Sequence, residues 1–193
     1  RKLFYKFIIR EAGMGSKEEQ KIQSKGLIVQ SLVYLMRKKS FHEIKITEIC
    51  KKAGVSRLSY YRNFESKEDI VLYYFNNNFE KIIGKITMME SISYRELIEM
   101  LFLHFMENLE ENKLFFRDKL IYLISISTDE YMKKFLKVVF KDNDHDDFIL
   151  KFLQGGIMNI MIGLMTGDEN HSVEDIAVRI DFIYKMLSER TEI

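Results

Sequence analysis

The chain is expected to fold as an all-α protein, with an N-terminal three-helix helix-turn-helix domain followed by a larger helical domain. Three observations predict it. Proline is absent from the 193 residues and glycine occurs only 9 times, leaving few of the breakers that sandwiches, barrels and flexible linkers need. Apolar residues, 47% of the chain, recur at helical rather than alternating spacing. Segment 46–64 places two short helical stretches on either side of a glycine turn.

Residues 1–16 read as an N-terminal extension or as residues from outside the natural reading frame, since RKLFYKFIIREAG is a short basic amphipathic stretch of its own. Ser16 with Glu19 three residues on forms a capping-box pattern ahead of Ile22, Ile28, Leu32 and Leu35, which predicts a first helix from Lys17 to Lys39. After a break over 40–45, Thr47 is the expected cap of a short helix carrying Ile49, Cys50 and Ala53. Gly54 closes that helix. Ser56 caps the next one, Arg57 to Phe64, which is too short to hold unless packed on its neighbours. Ser66 and Asp69 open a fourth helix over Lys67–Ile86. Periodicity then predicts helices over Tyr94–Asn108, Lys113–Ser127, Glu130–Phe140, Asp146–Met165 and Val173–Glu189.

Composition excludes several classes. No stretch approaches the roughly 20 uncharged apolar residues that cross a bilayer, so no membrane partner is expected. The single cysteine, Cys50, allows neither an internal disulfide nor a multi-cysteine zinc site, and a cytoplasmic location follows as the expectation. The net charge of +1 hides an asymmetry. Residues 1–67 hold 16 Lys/Arg against 6 Asp/Glu, a net of +10, and residues 68–193 hold 14 against 23, a net of −9. One end is therefore suited to a polyanion.

Segment 46–64 has the form helix, tight turn, helix, the unit that lays its second helix in the DNA major groove. Ile46, Ile49, Cys50, Ala53, Val55, Tyr60 and Phe64 are expected inside. Arg57, Leu58, Ser59, Tyr61, Arg62 and Asn63 are expected outside, a polar and basic set for so short a helix. Thr47 and Ser56, at the two helix starts, can present hydroxyl and backbone N–H donors to phosphate.

ITEICKKAGVSRLSYYRNFESKEDI resembles the N-terminal signature of the TetR/AcrR transcriptional regulators, a likeness that runs from about Ile22 to Leu72. It implies domains at 17–67 for DNA binding and 68–193 for effector binding and dimerisation. The function it implies is a repressor that binds a palindromic operator in double-stranded DNA as a homodimer and is released by a small hydrophobic effector. Carried over, Arg57 and Ser59 face base edges, Tyr61, Asn63 and Lys67 hold phosphates, and Arg62 joins either group. The sequence departs from the family pattern at Leu58, where glycine is usual, and at Asn63 and Cys50. Leu58 can instead touch a thymine methyl.

The resemblance also implies that the last two helices pair with their symmetry mates as a four-helix bundle. The dimer face is then expected at Phe152, Gly156, Ile160, Leu164, Ile176, Ile180, Ile183 and Leu187, with Gly155, Gly156 and Gly163 permitting close approach. An effector pocket is expected among Met100, His104, Phe105, Phe115, Phe116 and Tyr122, coupled to the reading heads through the fourth helix.

An enzyme needs a constellation, and none stands out. The acidic run 142–147 fails the calcium-loop template, with Asp147 where glycine is required and Leu153 where a bidentate glutamate is required. It reads as a solvated cap, and no metal or resident cofactor is expected. The rival reading is a helical dimeric ligand-binding or interaction protein that has the family fold but lacks specific operator binding, with Leu58 the feature in its favour.

Overall fold

The computed structural model describes residues 16–128, 131 and 147–188. The described part is helical, and the chain divides into two compact units between Tyr73 and Tyr74. In the first unit, α1 (Ser16–Met36) is followed by a single 3-10 turn, Phe41–Glu43, then α2 (Ile46–Ala53), α3 (Arg57–Tyr61) and the start of α4 (Lys67–Thr87). The second unit holds the rest of α4, then α5 (Tyr94–Glu107), α6 (Leu109–Arg117), helical residues 121–128 (α7), α8 (Asp147–Thr166) and α9 (Val173–Ser188). The expected helix over Glu130–Phe140, the acidic run up to residue 146 and the Ser16 side-chain cap lie outside the described residues, Tyr131 excepted.

The first unit closes around Ile28, Leu32, Met36, Phe41, Ile49 and Tyr60, all essentially without solvent exposure. The stretch 40–45, expected as a plain break, is a packed turn. Ser40 accepts from the His42 N–H, the Glu43 carboxylate accepts from the Ser40 N–H at 3.1 Å, and Phe41 and Ile44 are driven inside. Helix α2 starts one residue before the expected cap. Lys45 is its N-cap and Thr47 lies in the first turn. Glu48 explains the shift, because its carboxylate accepts from the Lys45 N–H at 2.9 Å and so fixes the start there. The same carboxylate takes the Lys39 ammonium at 2.7 Å, and that hydrogen bond holds its pKa below the ordinary value. Gly54 ends α2 at φ 68°, a left-handed conformation that suits glycine. Beneath α3, the half of α2 that carries Cys50 is buried, and burial pushes the Cys50 thiol pKa up.

Helix α4 opens as expected. Ser66 Oγ accepts from the Asp69 N–H at 3.1 Å, and Asp69 accepts in return from the Ser66 N–H at 3.0 Å. Beyond it the expected single helix over Lys113–Ser127 is two. Residues 110–112, expected as a break, lie in the first turn of α6. The true break is at 118–120, where Lys119 adopts φ 59°. Leu120 N–H bonds Phe115 O at 2.9 Å and Lys119 N–H bonds Phe116 O at 3.0 Å, the paired reverse bonds that finish a helix. Phe115 and Leu120 are both buried there, so packing holds a left-handed residue without glycine.

The core of the second unit sets α5 against α8 and α9. Tyr94, Leu97, Ile98, Leu101 and Phe102 meet Leu153, Ile157 and Met161 from α8 and Ile176, Ala177 and Ile180 from α9. Tyr94 stacks on Tyr184 with ring centres 4.2 Å apart. Gly163 permits a close approach of another kind than expected: a Cβ there would sit 2.8 Å from the Cβ of Glu169, in the turn that follows α8. A Cβ at Gly155 or Gly156 would meet nothing.

Candidate nucleic-acid interface

Helix α3 is held from below. Tyr60 is fully buried, and its hydroxyl donates to Ser66 O at 3.0 Å; burial raises its phenol pKa well above the usual range. Ser56 Oγ accepts from the Ser59 N–H at 3.0 Å, which is the expected N-cap. With Tyr60 pinned, the opposite side of the helix faces water. Arg57, Tyr61 and Arg62 are exposed, and Leu58 is 63% exposed. A leucine so open on a helix this short leaves most of its side chain to solvent.

Two members of the expected outward set turn toward α1 instead. Ser59 is half-buried, with its hydroxyl oxygen 3.3 Å from that of Ser24. Asn63 donates to Ser59 O at 2.8 Å and to Ser24 Oγ at 3.4 Å. They tie α3 to α1. Lys67 has partners within its own unit. Its ammonium donates to Phe41 O at 2.8 Å and Ile44 O at 2.9 Å, and it lies 4.5 Å from the centre of the Phe41 ring. Burial lowers its pKa. These partners cap the 3-10 turn, so the geometry gives Lys67 a bracing role beside the phosphate contact expected of it.

Other exposed cations lie on the same unit. Lys51 and Lys52 on α2, Lys45 at its N-cap and Lys38 after α1 are exposed, as is Thr47. Tyr34 lies between two of them, its ring centre 3.7 Å from the Lys52 ammonium and 4.7 Å from that of Lys38. Lys38 first, then Lys52, holds the Tyr34 phenol pKa below its usual value. Periodicity carries no signal for such a pairing, because the two lysines come from separate elements.

The second unit contains a cavity of about 70 Å³ lined by Phe75, Asn78, Phe79, Ile82, Leu101, His104, Phe105, Asn108, Asn112, Ile124, Thr128, Gln154, Ile157, Met158, Met161 and Met165. Two of the expected pocket residues, His104 and Phe105, line it. Four do not, which corrects the expectation. Met100 packs against the helix core, and Phe115 is wholly buried with its ring against Tyr74 and Phe75. Phe116 is half-buried outside the lining, and Tyr122 is 52% exposed. The sequence offered only residue types here, and the side of each helix that turns inward depends on its neighbours.

Helices α8 and α9 also present an outer apolar face. Phe148 and Phe152 on α8 are exposed beside exposed Gly155 and Gly156, and Val178, Phe182, Ile183 and Met186 are exposed on α9. Phe152, Gly156 and Ile183 belonged to the expected dimer face; Phe148, Val178, Phe182 and Met186 did not. Ile176 and Ile180 are corrected, since at 3% and 4% exposure they lie in the core of their own unit. Ile160, Leu164 and Leu187 are partly buried against the same core.

Among the described residues no group of three or more His, Cys, Asp or Glu can hold a metal ion, and no helix is long and apolar enough to cross a membrane. His171 pairs with Glu169 in the turn before α9.

Residues 28–74 match the family model described as "Bacterial regulatory proteins, tetR family". A curated relative, the HTH-type dhaKLM operon transcriptional activator DhaS of Lactococcus lactis subsp. lactis (strain IL1403), is 25% identical over 99 residues, 51% of this chain and 50% of that protein. The chain thus spans about half the length of the curated relative it matches. Among solved structures, a dihydroxyacetone kinase operon activator DhaS superposes with a TM-score of 0.61 at 19% identity, over 86% of this chain and 96% of that one. The fatty acid degradation regulator FadR from Bacillus halodurans gives 0.58 at 15% identity, over 83% and 94%. A TetR transcriptional regulator from Rhodococcus sp. RHA1 gives 0.59 at 12% identity, over 86% and 98%. At these identities the solved structures establish likeness of fold.

Proposed function

Because the chain belongs to the tetR family of bacterial regulatory proteins, we propose that it acts as a repressor, binding a palindromic operator as a homodimer and responding to a small molecule. The observation that carries this reading is α3 itself, pinned by buried Tyr60 and exposing Arg57, Leu58, Tyr61 and Arg62. In this proposal Arg57 reads guanine through its two-pronged guanidinium and Leu58 meets a thymine methyl. Thr47, Ser56, Tyr61 and Arg62 hold phosphates together with Lys45, Lys51 and Lys52. Ser59 and Asn63 orient α3 on α1.

One helix-turn-helix reads only a few base pairs, so a two-fold pair of reading heads is part of the proposal. The exposed apolar faces of α8 and α9 supply the surface for it, since a large exposed apolar patch marks an interaction site. Residues 17–67 serve reading, and 68–193 serve pairing and ligand response. A ligand can shift DNA affinity only by binding the competent and incompetent states unequally, and the cavity of the second unit is the proposed site for it.

The test is selection of bound duplexes from random DNA by the full chain, followed by a salt series on the winning sequence. A palindromic consensus bound with steep salt dependence supports the proposal. Uniform weak retention of every duplex overturns it in favour of an interaction protein of the same fold. A reporter driven by the selected operator fixes the sign: falling transcription supports repression, and rising transcription would align the chain with its relative DhaS, a transcriptional activator.

A further inference from the structure

Helix α3 spans five residues, too few to hold a helix unaided, so its seat is set by what grips it. Tyr60, through its bond to Ser66 O, anchors one side. A second grip comes from consecutive residues of α1. Ser24 Oγ lies 3.3 Å from Ser59 Oγ and accepts from the Asn63 amide at 3.4 Å. Next to it, Lys25 places its ammonium 5.6 Å from the centre of the Phe64 ring and 4.7 Å from that of Tyr73 on α4. Those two rings meet edge to face with centres 5.6 Å apart, and Phe64 is buried. Neighbouring residues on a helix point about 100° apart, so α1 meets Asn63 and Phe64, themselves neighbours, from two directions.

Lysine at position 25 carries a cost that leucine there would not. Its ammonium gives up hydration as it is covered. Burial, then Lys21, lowers its pKa, against the weaker opposite pull of Glu18. What offsets the cost is attraction to the two rings. That attraction is directional, whereas an apolar side chain packs against a ring in many orientations. A charge kept at such a cost serves definition of geometry better than it serves stability.

We infer that Ser24 and Lys25 are positioning residues for sequence reading: by gripping Asn63 and Phe64 they set the roll of α3 about its axis, and with it the aim of Arg57. A two-pronged contact to a base must be held within about 10–20° of its productive direction. Arg57 is exposed, so that direction comes from the helix that carries it. The inference rests on the proposed reading of duplex by α3 and adds residues that act through that helix.

The experiment has two arms, both on the full chain. Without DNA, amide hydrogen exchange follows the Asn63 and Phe64 N–H groups, each bonded to Tyr60 O at 2.9 Å, beside the Ile49 N–H on α2, bonded to Lys45 O at 3.3 Å. Lys25→Met should speed the first two about fivefold and leave Ile49 unchanged, and Lys25→Arg, which keeps the cation on the rings, should restore wild-type rates. With DNA, competition between the selected duplex and one altered at the base that Arg57 reads should show discrimination reduced about fivefold in Lys25→Met, with the salt slope unchanged. In an Arg57→Ala background the same substitution should cost no further discrimination. Ser24→Ala, with the same pattern expected, serves if Lys25→Met fails to fold. Equal speeding of all three amides overturns the inference in favour of general stability. A salt slope flatter by about one unit overturns it in favour of a phosphate contact, and further loss in the Arg57→Ala background, or no change in either arm, overturns it outright. If wild type selects no duplex, the reading role falls with the regulator, while the exchange arm alone decides whether α1 seats α3.

Discussion

Lys67 donates to the backbone carbonyl of Phe41 at 2.8 Å while its ammonium lies 4.5 Å from the centre of the same residue's ring. A second bond to Ile44 O at 2.9 Å completes a brace that joins the start of α4 to the turn ahead of α2. Removing it leaves two carbonyls without their charged donor. Lys67→Ala is expected to lower unfolding stability by about 1–2 kcal/mol while leaving the slope of log affinity against log salt unchanged. Denaturant melts and a salt titration check it. A slope flatter by about one unit with stability intact would restore the phosphate role.

The proposed roles of base reading and phosphate holding can be separated at two exposed cations, Arg57 and Lys51. Arg57→Ala should relax preference at one operator position, losing about 1–3 kcal/mol of discrimination. Lys51→Ala, on exposed α2, should weaken every duplex alike and flatten the salt slope by about one unit. Competition binding on matched and mutated duplexes decides between them, and equal loss of preference in both variants refutes the division.

Leu58 can be interrogated by changing the DNA. If its exposed side chain meets a thymine methyl, replacing that thymine by uracil weakens wild type by about 1 kcal/mol, near the value of one buried methylene. Leu58→Ala should bind both duplexes alike. A uracil penalty that persists in Leu58→Ala places the methyl contact elsewhere.

The glycines of α8 should behave oppositely. Gly163→Ala drives a Cβ to 2.8 Å from the Cβ of Glu169, and about 1–3 kcal/mol of destabilisation is expected from the forced shift. Gly156→Ala meets nothing and should stabilise the helix by up to about 1 kcal/mol. Thermal melts of the two proteins side by side provide the check. On α9, Phe182→Glu should yield folded monomers by sedimentation, whereas Ile180→Glu should not fold, because Phe182 is 66% exposed and Ile180 only 4%.

His104 sets a pH response whose sign follows from burial. Its folded pKa lies below the ordinary value, so below about pH 6.5 the unfolded chain takes up a proton that the folded chain resists. The stability it contributes is present above that pH and declines as pH falls toward the folded pKa. Between pH 7.5 and 5.5, wild type should lose more melting temperature than His104→Gln. Identical losses would remove His104 from the response.

What the sequence made legible was local. Gly54, the Ser56 cap and the Ser66–Asp69 box each act within a few residues, and the structure places all three where the pattern predicts. Tyr60 was legible as an inward residue because its neighbours in α3 are polar. The break at 118–120 was hidden, since Lys119 takes a left-handed conformation without the glycine that advertises one. The brace made by Lys67 was hidden because its partners lie 23 and 26 residues away. On α9 the apolar stripe is broad enough to contain both Ile180, which faces its own core, and Phe182, which does not. Period alone does not divide such a stripe.

The lone sulfhydryl of the chain, Cys50, sits 5% exposed under the reading helix. A maleimide can reach it only when that region opens, so the labelling rate clocks the breathing of the reading unit while the rest of the chain stays silent. Bound operator should slow that clock, turning one native sulfur atom into a gauge, needing no substitution, of how tightly duplex clamps the fold.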